Sequence, residues 1–143
     1  MEATPADAER TDPYADSLCF GCSTRNTVGL RLDVHHEGDG TGWATFTPQP
    51  EHEGPPGFLH GGLAATALDE TMAWVAHQAE GEACVTATLS LRYRKPVPLA
   101  GGPYRVEAET AKATGRRRRI VGRFLLEDGS TAVEAEGVFI RIR

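Results

Sequence analysis

The run from His60 to His77 is the feature of this chain that most constrains its fold. Asp69 and Glu70 are the only acidic side chains in it, and no Lys or Arg is present. The run is too long for a strand, contains no proline and is rich in Ala and Leu, so it predicts a helix that Gly81 ends. A helix that is apolar nearly all round must be buried nearly all round. The rest of the chain is therefore expected to surround it.

Alternating apolar and polar residues predict strands on both sides of this helix. The predicted strands are 28–36, 43–47, 84–95, 104–113, 117–126 and 131–142, and a connection with four prolines, 48–57, leads into the helix. In the strand 84–95, strict alternation puts Thr86 on a polar face, opposite Leu89 and Leu91. Two strands, a helix and four strands make an α+β chain. The simplest way to bury the helix is one curved antiparallel sheet wrapped around it.

Length and terminal composition predict the domain organisation. Residues 1–16 mix Ala, Asp, Glu, Thr and Pro without periodicity, which predicts a mobile tail. Residues 17–143 are expected to form a single domain, because a chain of 143 residues fits one core. The N-terminus has no apolar segment and no apolar run is long enough to cross a bilayer. We therefore expect a cytoplasmic protein without a membrane partner.

The cysteines favour a reducing compartment and leave one motif to interpret. Three cysteines, an odd number, argue against a disulfide framework. Cys19 and Cys22 have the spacing of a metal or redox pair, but a structural zinc site needs four ligands and no second pair is present. We interpret C-F-G-C as a tight turn with buried thiols, and expect neither a metal nor a cofactor.

The helix carries two groups that could do chemistry. Its glycine-rich start leaves the backbone N–H groups of Gly61 and Gly62 at the positive end of the helix dipole, where they could hold an oxyanion. Asp69 lies nine residues beyond His60, about 13 Å along the axis and on the opposite face. Within one chain, the two cannot share a site. Two copies of the helix packed antiparallel across a two-fold axis would bring them together twice, which predicts a homodimer with composite sites.

A longer pattern surrounds these residues. H-G-G at 60–62 has a carboxylate nine residues after its His, follows E-G-P-P-G-F-L and precedes V-T-A-T-L-S-L-R-Y-R-K-P-V-P-L. The pattern resembles the hotdog-fold acyl-CoA thioesterases of the PaaI-like branch, from about Cys19 to the end of the chain. The resemblance implies about six antiparallel strands curved around one long helix. It also implies hydrolysis of an acyl-CoA thioester, with no metal or redox cofactor.

The resemblance suggests roles for four residues. The Gly61 N–H would polarise the thioester carbonyl, and Asp69 would be a general base for water or, alternatively, the nucleophile. His60 would shape the site, although capping the helix start would also explain it. Thr86 would place a hydroxyl beside the carboxylate. Relatives in another branch carry an Asn where this chain has Gly54, so either Thr86 and His60 replace that Asn or hydrolysis is slow.

Other side chains on the helix are expected to be structural. Glu70 points about 100° away from Asp69, and we expect it to be a surface or interface ion-pair partner, with the role of working carboxylate as the alternative. Met72, Trp74 and, just before the helix, Phe58 are expected in the core or at a dimer contact, with lining of an acyl pocket as the alternative.

The charges suggest where an anionic ligand would bind. Residues 1–84 hold 3 Lys/Arg and 14 Asp/Glu, and residues 85–143 hold 12 and 6, so a balance of −11 is followed by one of +6. Aromatic residues are sparse in the basic half and no nucleic-acid motif is present, so coenzyme A phosphates fit better than a nucleic acid. The run Arg116–Arg119 is either a solvated sheet end or part of this patch. The residues expected to bind substrate are Gly62, Arg92, Arg94, Lys95, Arg117 and Arg119.

Two other functions stay open beside thioester hydrolysis. A non-hydrolytic acyl-CoA binding protein would keep the fold without turnover, and Gly54 is the residue that favours it. A hydratase or dehydratase acting on acyl thioesters would need a second acid and base pair along the acyl chain, which the sequence does not offer. Whether dimers pair into tetramers also stays open.

Overall fold

The computed structural model describes residues 17–78 and 83–142. One helix, α1 (Gly61–Gln78), is accompanied by six strands. The strands are β1 (Asp33–His36), β2 (Thr41–Phe46), β3 (Cys84–Tyr93), β4 (Tyr104–Thr114), β5 (Arg117–Leu125) and β6 (Thr131–Arg141). The predicted α+β class and order of elements are confirmed. The expected tail 1–16 and the helix stop at Gly81 lie outside the described residues.

The six strands form one antiparallel sheet whose order is β1-β2-β4-β5-β6-β3. The sheet curves around α1, which packs against every strand. Ala67, Leu68 and Met72 of the helix are fully buried, and Phe124 and Phe139 of the sheet are fully buried with them. The prediction of a central buried helix inside a curved sheet is therefore confirmed. No helix in the described ranges is long and apolar enough to cross a bilayer.

The prediction of a strand over 28–36 is wrong in its first half, because β1 begins only at Asp33. The backbone N–H groups of Leu30 and Leu32 bond to the carbonyls of Phe20 and Gly21 instead of to a neighbouring strand. The segment therefore follows the turn that contains the cysteines. Alternation indicated the burial of Leu30 and Leu32 correctly, but Val28 is exposed, and backbone pairing with the turn replaced the sheet ladder.

A β-bulge in β3 changes which residues face the helix. The register between β3 and β6 shifts between Thr86 and Thr88, so Thr86 is paired with Phe139 and Leu89 with Gly137. Phe139 is fully buried on the inner face of the sheet, and paired residues of an antiparallel ladder point to the same face. The prediction that Thr86 lies opposite Leu89 is therefore wrong. The bulge turns Thr86 inward, onto the helix side of the sheet.

Candidate functional site

The start of α1 is fixed by His60. Its backbone N–H donates to the carbonyl of His52 at 2.9 Å, and its carbonyl accepts the N–H groups of Leu63 and Ala64 at 3.0 and 3.2 Å. The His60 Nδ1 accepts the backbone N–H of Gly62 at 2.9 Å, as an N-cap side chain does. Because Nδ1 is an acceptor, the neutral ring carries its proton on Nε2. His60 therefore has the capping geometry that was the alternative to a direct chemical role.

The two glycines at the start of the helix are not equivalent. The Gly62 N–H is used by His60, so the expectation that it faces a ligand is wrong. The Gly61 N–H has no recorded protein acceptor among residues 17–78 and 83–142, and first-turn N–H groups have none within the helix. Of this pair, Gly61 is the one whose N–H is available to an oxyanion.

Tyr93 contacts the first turn of α1 at Gly61 and was not singled out from the sequence. Its hydroxyl donates a 2.7 Å hydrogen bond to the Gly61 carbonyl, and burial raises the pKa of Tyr93, which keeps the phenol protonated. Tyr93 is the last residue of β3, so the hydrogen bond ties this strand to the first turn of α1. The alternation in β3 indicated its face, but only the three-dimensional fold shows which helical turn it reaches.

Gly54, for which the resemblance raised the question of an absent Asn, lies against the backbone of His60. A Cβ atom built on Gly54 would be 2.7 Å from the His60 Cα. No side chain fits here unless the loop moves. The structure thus gives a local reason for glycine at this position: His60 approaches it closely.

Asp69 and Thr86 lie together in the middle of the helix. The Thr86 hydroxyl donates a 2.7 Å hydrogen bond to Asp69 Oδ1. This contact depends on the β3 bulge, because strict alternation would have turned Thr86 away from α1. The arrangement orients one carboxylate oxygen and leaves the other, Oδ2, to a further hydrogen-bond donor such as water.

The two ends of the candidate chemistry are separated within one chain. Gly61 and Asp69 lie eight residues apart on the same helix, which corresponds to about 12 Å along its axis. A thioester carbonyl held at the Gly61 N–H would therefore be out of reach of the same chain's carboxylate. Each helix therefore carries two candidate half-sites: the Gly61 half-site, with its backbone N–H, and the Asp69 half-site, with its carboxylate.

A cavity of about 340 Å³ opens beside the Gly61 half-site. Phe58 and Val97 contribute apolar walls, and Arg94 and Lys95 line it as well. Two of the six predicted substrate-binding residues, Arg94 and Lys95, thus lie next to the helix start, although Arg94 also pairs with Glu134. Phe58 was expected in the core or at a dimer contact, with lining of an acyl pocket as the alternative; it lines this cavity and is 37% exposed.

The other predicted basic residues lie elsewhere. A larger concavity of about 770 Å³, lined in part by Arg92, lies on the outer face of the sheet, away from the helix start. Arg119 pairs with Glu136, and Arg117 is exposed at the start of β5. The structure therefore does not gather Arg92, Arg117 and Arg119 with Arg94 and Lys95 into one patch within a single chain.

The arginine run itself is partly structural. Arg118 is buried, and its guanidinium donates to the backbone carbonyls of Gly115 and Arg117 at 2.6 and 3.1 Å. This side chain fastens the β4–β5 turn. Arg117 and Arg119 lie on the opposite, exposed face of the strand, as its period of two requires.

Glu70 differs most from its predicted role. Rather than forming a surface ion pair, its carboxylate accepts the Trp74 indole N–H at 3.0 Å and lies 3.5 Å from the Cys19 sulfur. Burial, followed by the charge of Cys19, raises the pKa of Glu70 to about 7. Trp74 and Met72 are buried, in agreement with their predicted place in the core.

Cys19 and Cys22 form the tight turn that the sequence predicted, with free thiols. Hydrogen bonding from the Cys22 side chain, with help from backbone N–H groups, lowers the pKa of Cys19 to about 5. The pKa of Cys22 is raised, first by that hydrogen bond and then by burial. Cys22 is buried and Cys19 is partly exposed. The turn thus faces Glu70, one residue beyond the Asp69 half-site.

Comparisons with known proteins relate this arrangement to a family. The model described as Thioesterase superfamily matches residues 56–133. Acyl-coenzyme A thioesterase THEM4 of Xenopus laevis is 36% identical over 98 residues, which are 68% of this chain and 43% of that protein. The chain thus spans less than half the length of this curated relative.

Solved structures share the fold. Protein RHA08564, a thioesterase superfamily protein, superposes with a TM-score of 0.72 at 31% identity, over 80% of this chain and 58% of that one. The PaaI protein of the E. coli phenylacetic acid degradation operon gives 0.73 at 18% identity, over 80% and 81%. Both confirm the hotdog architecture.

Proposed function

Because the chain belongs to the thioesterase superfamily, we propose that it is an acyl-CoA thioesterase, which converts a thioester and water into a carboxylic acid and free coenzyme A. The observation that carries this proposal is the Asp69 carboxylate, held in the middle of the buried helix by the Thr86 hydroxyl. Asp69 is only partly buried, so water can reach its carboxylate. The relative THEM4, whose name describes an acyl-CoA thioesterase, supports the same reaction.

Each proposed group has one task in the reaction. The Gly61 N–H donates to the thioester oxygen and stabilises the negative charge that develops there. Asp69 accepts a proton from water as the water attacks the carbonyl carbon. The C–S bond then breaks, and Asp69 returns the proton to the sulfur as the coenzyme A thiol leaves. Direct attack by Asp69, followed by hydrolysis of the anhydride, is the alternative sequence. Thr86 orients the carboxylate in both.

The 12 Å between Gly61 and Asp69 leads to the proposal that the working sites are composite. Two antiparallel copies of α1 bring the Gly61 half-site of one subunit level with Asp69 of the other. β3 is the surface that favours such a homodimer. It lies at an edge of the sheet, and its Val85 and Tyr93 are 46% and 53% exposed. An edge strand with exposed apolar side chains is suited to pairing with a second copy.

The cavity beside Gly61 is the proposed place for the substrate. Its apolar walls suit the acyl or pantetheine chain, and Arg94 and Lys95 provide positive charge for coenzyme A phosphates. Arg92, Arg117 and Arg119 could join this site only if a partner subunit brings them near, so we propose Arg94 and Lys95 as its core. No residue described here selects an acyl length.

Thiol release from short-chain, long-chain and aryl acyl-CoAs tests the function, with the wild type and Asp69→Asn compared side by side. The substitution keeps the size of the side chain and removes its charge. We expect turnover by the wild type and a loss of roughly a hundredfold or more in kcat for the variant. Acyl-CoA binding without thiol release would instead support the non-hydrolytic alternative that Gly54 favours.

A further inference from the structure

A cluster on the flank of α1 takes no part in the proposed hydrolysis. The sulfur atoms of Cys19 and Cys22 and a carboxylate oxygen of Glu70 all lie within 4.8 Å of one another. The Cys19 sulfur is 3.5 Å from each Glu70 oxygen. In a tetrahedral zinc site, with Zn–S of about 2.3 Å and Zn–O of about 2.0 Å, neighbouring sulfur and oxygen ligands are also about 3.5 Å apart. The three groups thus have the spacing of ligands that share one cation.

The turn that holds the two cysteines is built to present sulfur. The Ser23 N–H closes it by bonding to the Cys19 carbonyl at 3.0 Å. Backbone N–H groups of Gly21 and Cys22 bond to the Cys19 sulfur. Such donors stabilise a thiolate, which is the form of cysteine that binds metals.

The carboxylate is also held in place. The Trp74 indole N–H donates to Glu70 Oε1 at 3.0 Å and fixes the plane of the group, as outer partners of metal ligands do. A Cβ atom on Gly21 would lie 2.4 Å from Glu70 Oε2. Glycine at this position therefore allows the carboxylate to approach the cysteine turn.

Glu70 has no cationic ion-pair partner among residues 17–78 and 83–142. Cys22 is buried and Cys19 and Glu70 are partly buried, so two thiolates and a carboxylate here would carry a desolvation cost that a divalent cation would offset. Thiolates favour zinc over magnesium or calcium, which prefer oxygen ligands.

We propose that Cys19, Cys22 and Glu70 bind one zinc ion, with a fourth position reached by solvent on the partly exposed side of Cys19. The site would fasten the segment 17–32 to α1, one residue beyond Asp69. The expectation of no metal rested on the lack of a second cysteine pair in the sequence. Glu70 is the third ligand. It lies 48 residues further along the chain than Cys22, so the spacing of the C-F-G-C motif could not reveal it. The proposal does not depend on thioester hydrolysis.

Cobalt(II) provides a direct test, because thiolate ligation gives sulfur-to-cobalt charge-transfer absorption and tetrahedral geometry gives strong visible bands. The reduced, metal-stripped full chain is titrated with cobalt chloride and then with zinc chloride. We expect both sets of bands to saturate at about one equivalent and zinc to displace cobalt. Absence of sulfur-to-cobalt absorption, or purification as a metal-free Cys19–Cys22 disulfide, would overturn the proposal.

Variants assign the ligands. Zinc binding should weaken by tenfold or more in each of three variants, Cys19→Ser, Cys22→Ser and Glu70→Gln. Even the loss of a residue that only hydrogen-bonds to a metal ligand weakens binding by about this factor. Cys84→Ser is the matched control, since this buried cysteine lies outside the cluster, and should bind as the wild type does. Unchanged affinity in Glu70→Gln, or an equal loss in Cys84→Ser, would contradict the assignment. If the serine variants do not fold, X-ray absorption of the zinc-loaded wild type decides, with two sulfur neighbours expected and none or four contradicting it.

Discussion

The Asp69 carboxylate and the Thr86 hydroxyl show how much depends on single contacts at the residue scale. Thr86 reaches the carboxylate because the β3 bulge turns it inward, while Thr88, two residues further, is paired with Val138 on the outer face. These two threonines therefore differ in environment although they belong to the same strand. They make a matched pair for measuring what the hydroxyl contributes.

Thr86→Val removes the hydroxyl with little change in volume. A hydrogen bond to a charged group contributes about 1.5–3 kcal/mol, so we expect kcat to fall about 10- to 100-fold. KM should change little if the hydroxyl acts only on the carboxylate. Thr88→Val should retain wild-type kinetics, and Thr86→Ser should recover most of the loss. Equal kinetics for the two valine variants would show that the hydroxyl has no part in the reaction.

Gly61 permits a substitution that removes one hydrogen. Proline is favoured at the first position of a helix, where the N–H has no intrahelical partner, and a Cβ atom at Gly61 would make only ordinary contact with Tyr93, 3.6 Å away. Gly61→Pro should keep the fold and lower kcat about 100- to 1,000-fold, as loss of an oxyanion donor does. Gly61→Ala keeps the N–H and should stay within a fewfold of wild type. A similar loss in both variants would point to crowding instead.

At the scale of elements, the periodicity of apolar residues predicted most of the fold. Most segments either bury one face, as a strand does, or nearly all faces, as α1 does. The helix was recognisable from its apolar surface, and five of the six strands agree with prediction to within two residues. Two features of the fold were not predicted. The segment 28–32 alternates like a strand but bonds to the cysteine turn, and the β3 bulge adds a residue that a period of two cannot contain. Both are decided by tertiary partners.

The residues of the candidate site were predictable where the neighbouring sequence already indicates their role. Asp69 was identifiable as a carboxylate inside an apolar helix, and Thr86 was identified by resemblance although alternation placed it on the wrong face. Tyr93 and Glu70 were not anticipated, because their partners at Gly61 and Cys19 are far away in sequence. The use of the Gly62 N–H by His60 depends on a side-chain orientation that the sequence does not contain.

β3 is the element on which the proposed dimer depends. Val85 is 46% exposed on this edge strand, and a lysine there should prevent pairing, as edge lysines do in natural sheets. We expect Val85→Lys to shift the dimer towards monomer and to lose hydrolysis in parallel, while its circular dichroism stays unchanged. Light scattering during size-exclusion chromatography over a dilution series measures the shift.

Val28→Lys provides the control for this experiment. Val28 is 76% exposed but lies in the segment beside the cysteine turn, away from β3. The same change of charge at this position should leave both mass and activity unaltered. A monomeric but fully active Val85→Lys protein would rule out composite sites.

The whole molecule is proposed to work only as a pair, since each chain holds two half-sites about 12 Å apart on one helix. That separation follows from helix geometry alone and was accessible from the sequence. The identity of the surface that joins the copies was not, because the exposure of β3 depends on its place at the edge of the sheet.

Complementation between two inactive chains tests this central claim most directly. Gly61→Pro lacks the oxyanion donor and Asp69→Asn lacks the base, so a mixed dimer contains one intact composite site and one doubly defective site. Denaturing and refolding the two chains together in equal amounts should restore thiol release to about a quarter of the wild-type rate, because half of the dimers are mixed. Each variant refolded alone should stay inactive. No recovery in a preparation shown by mass to contain mixed dimers would contradict the account.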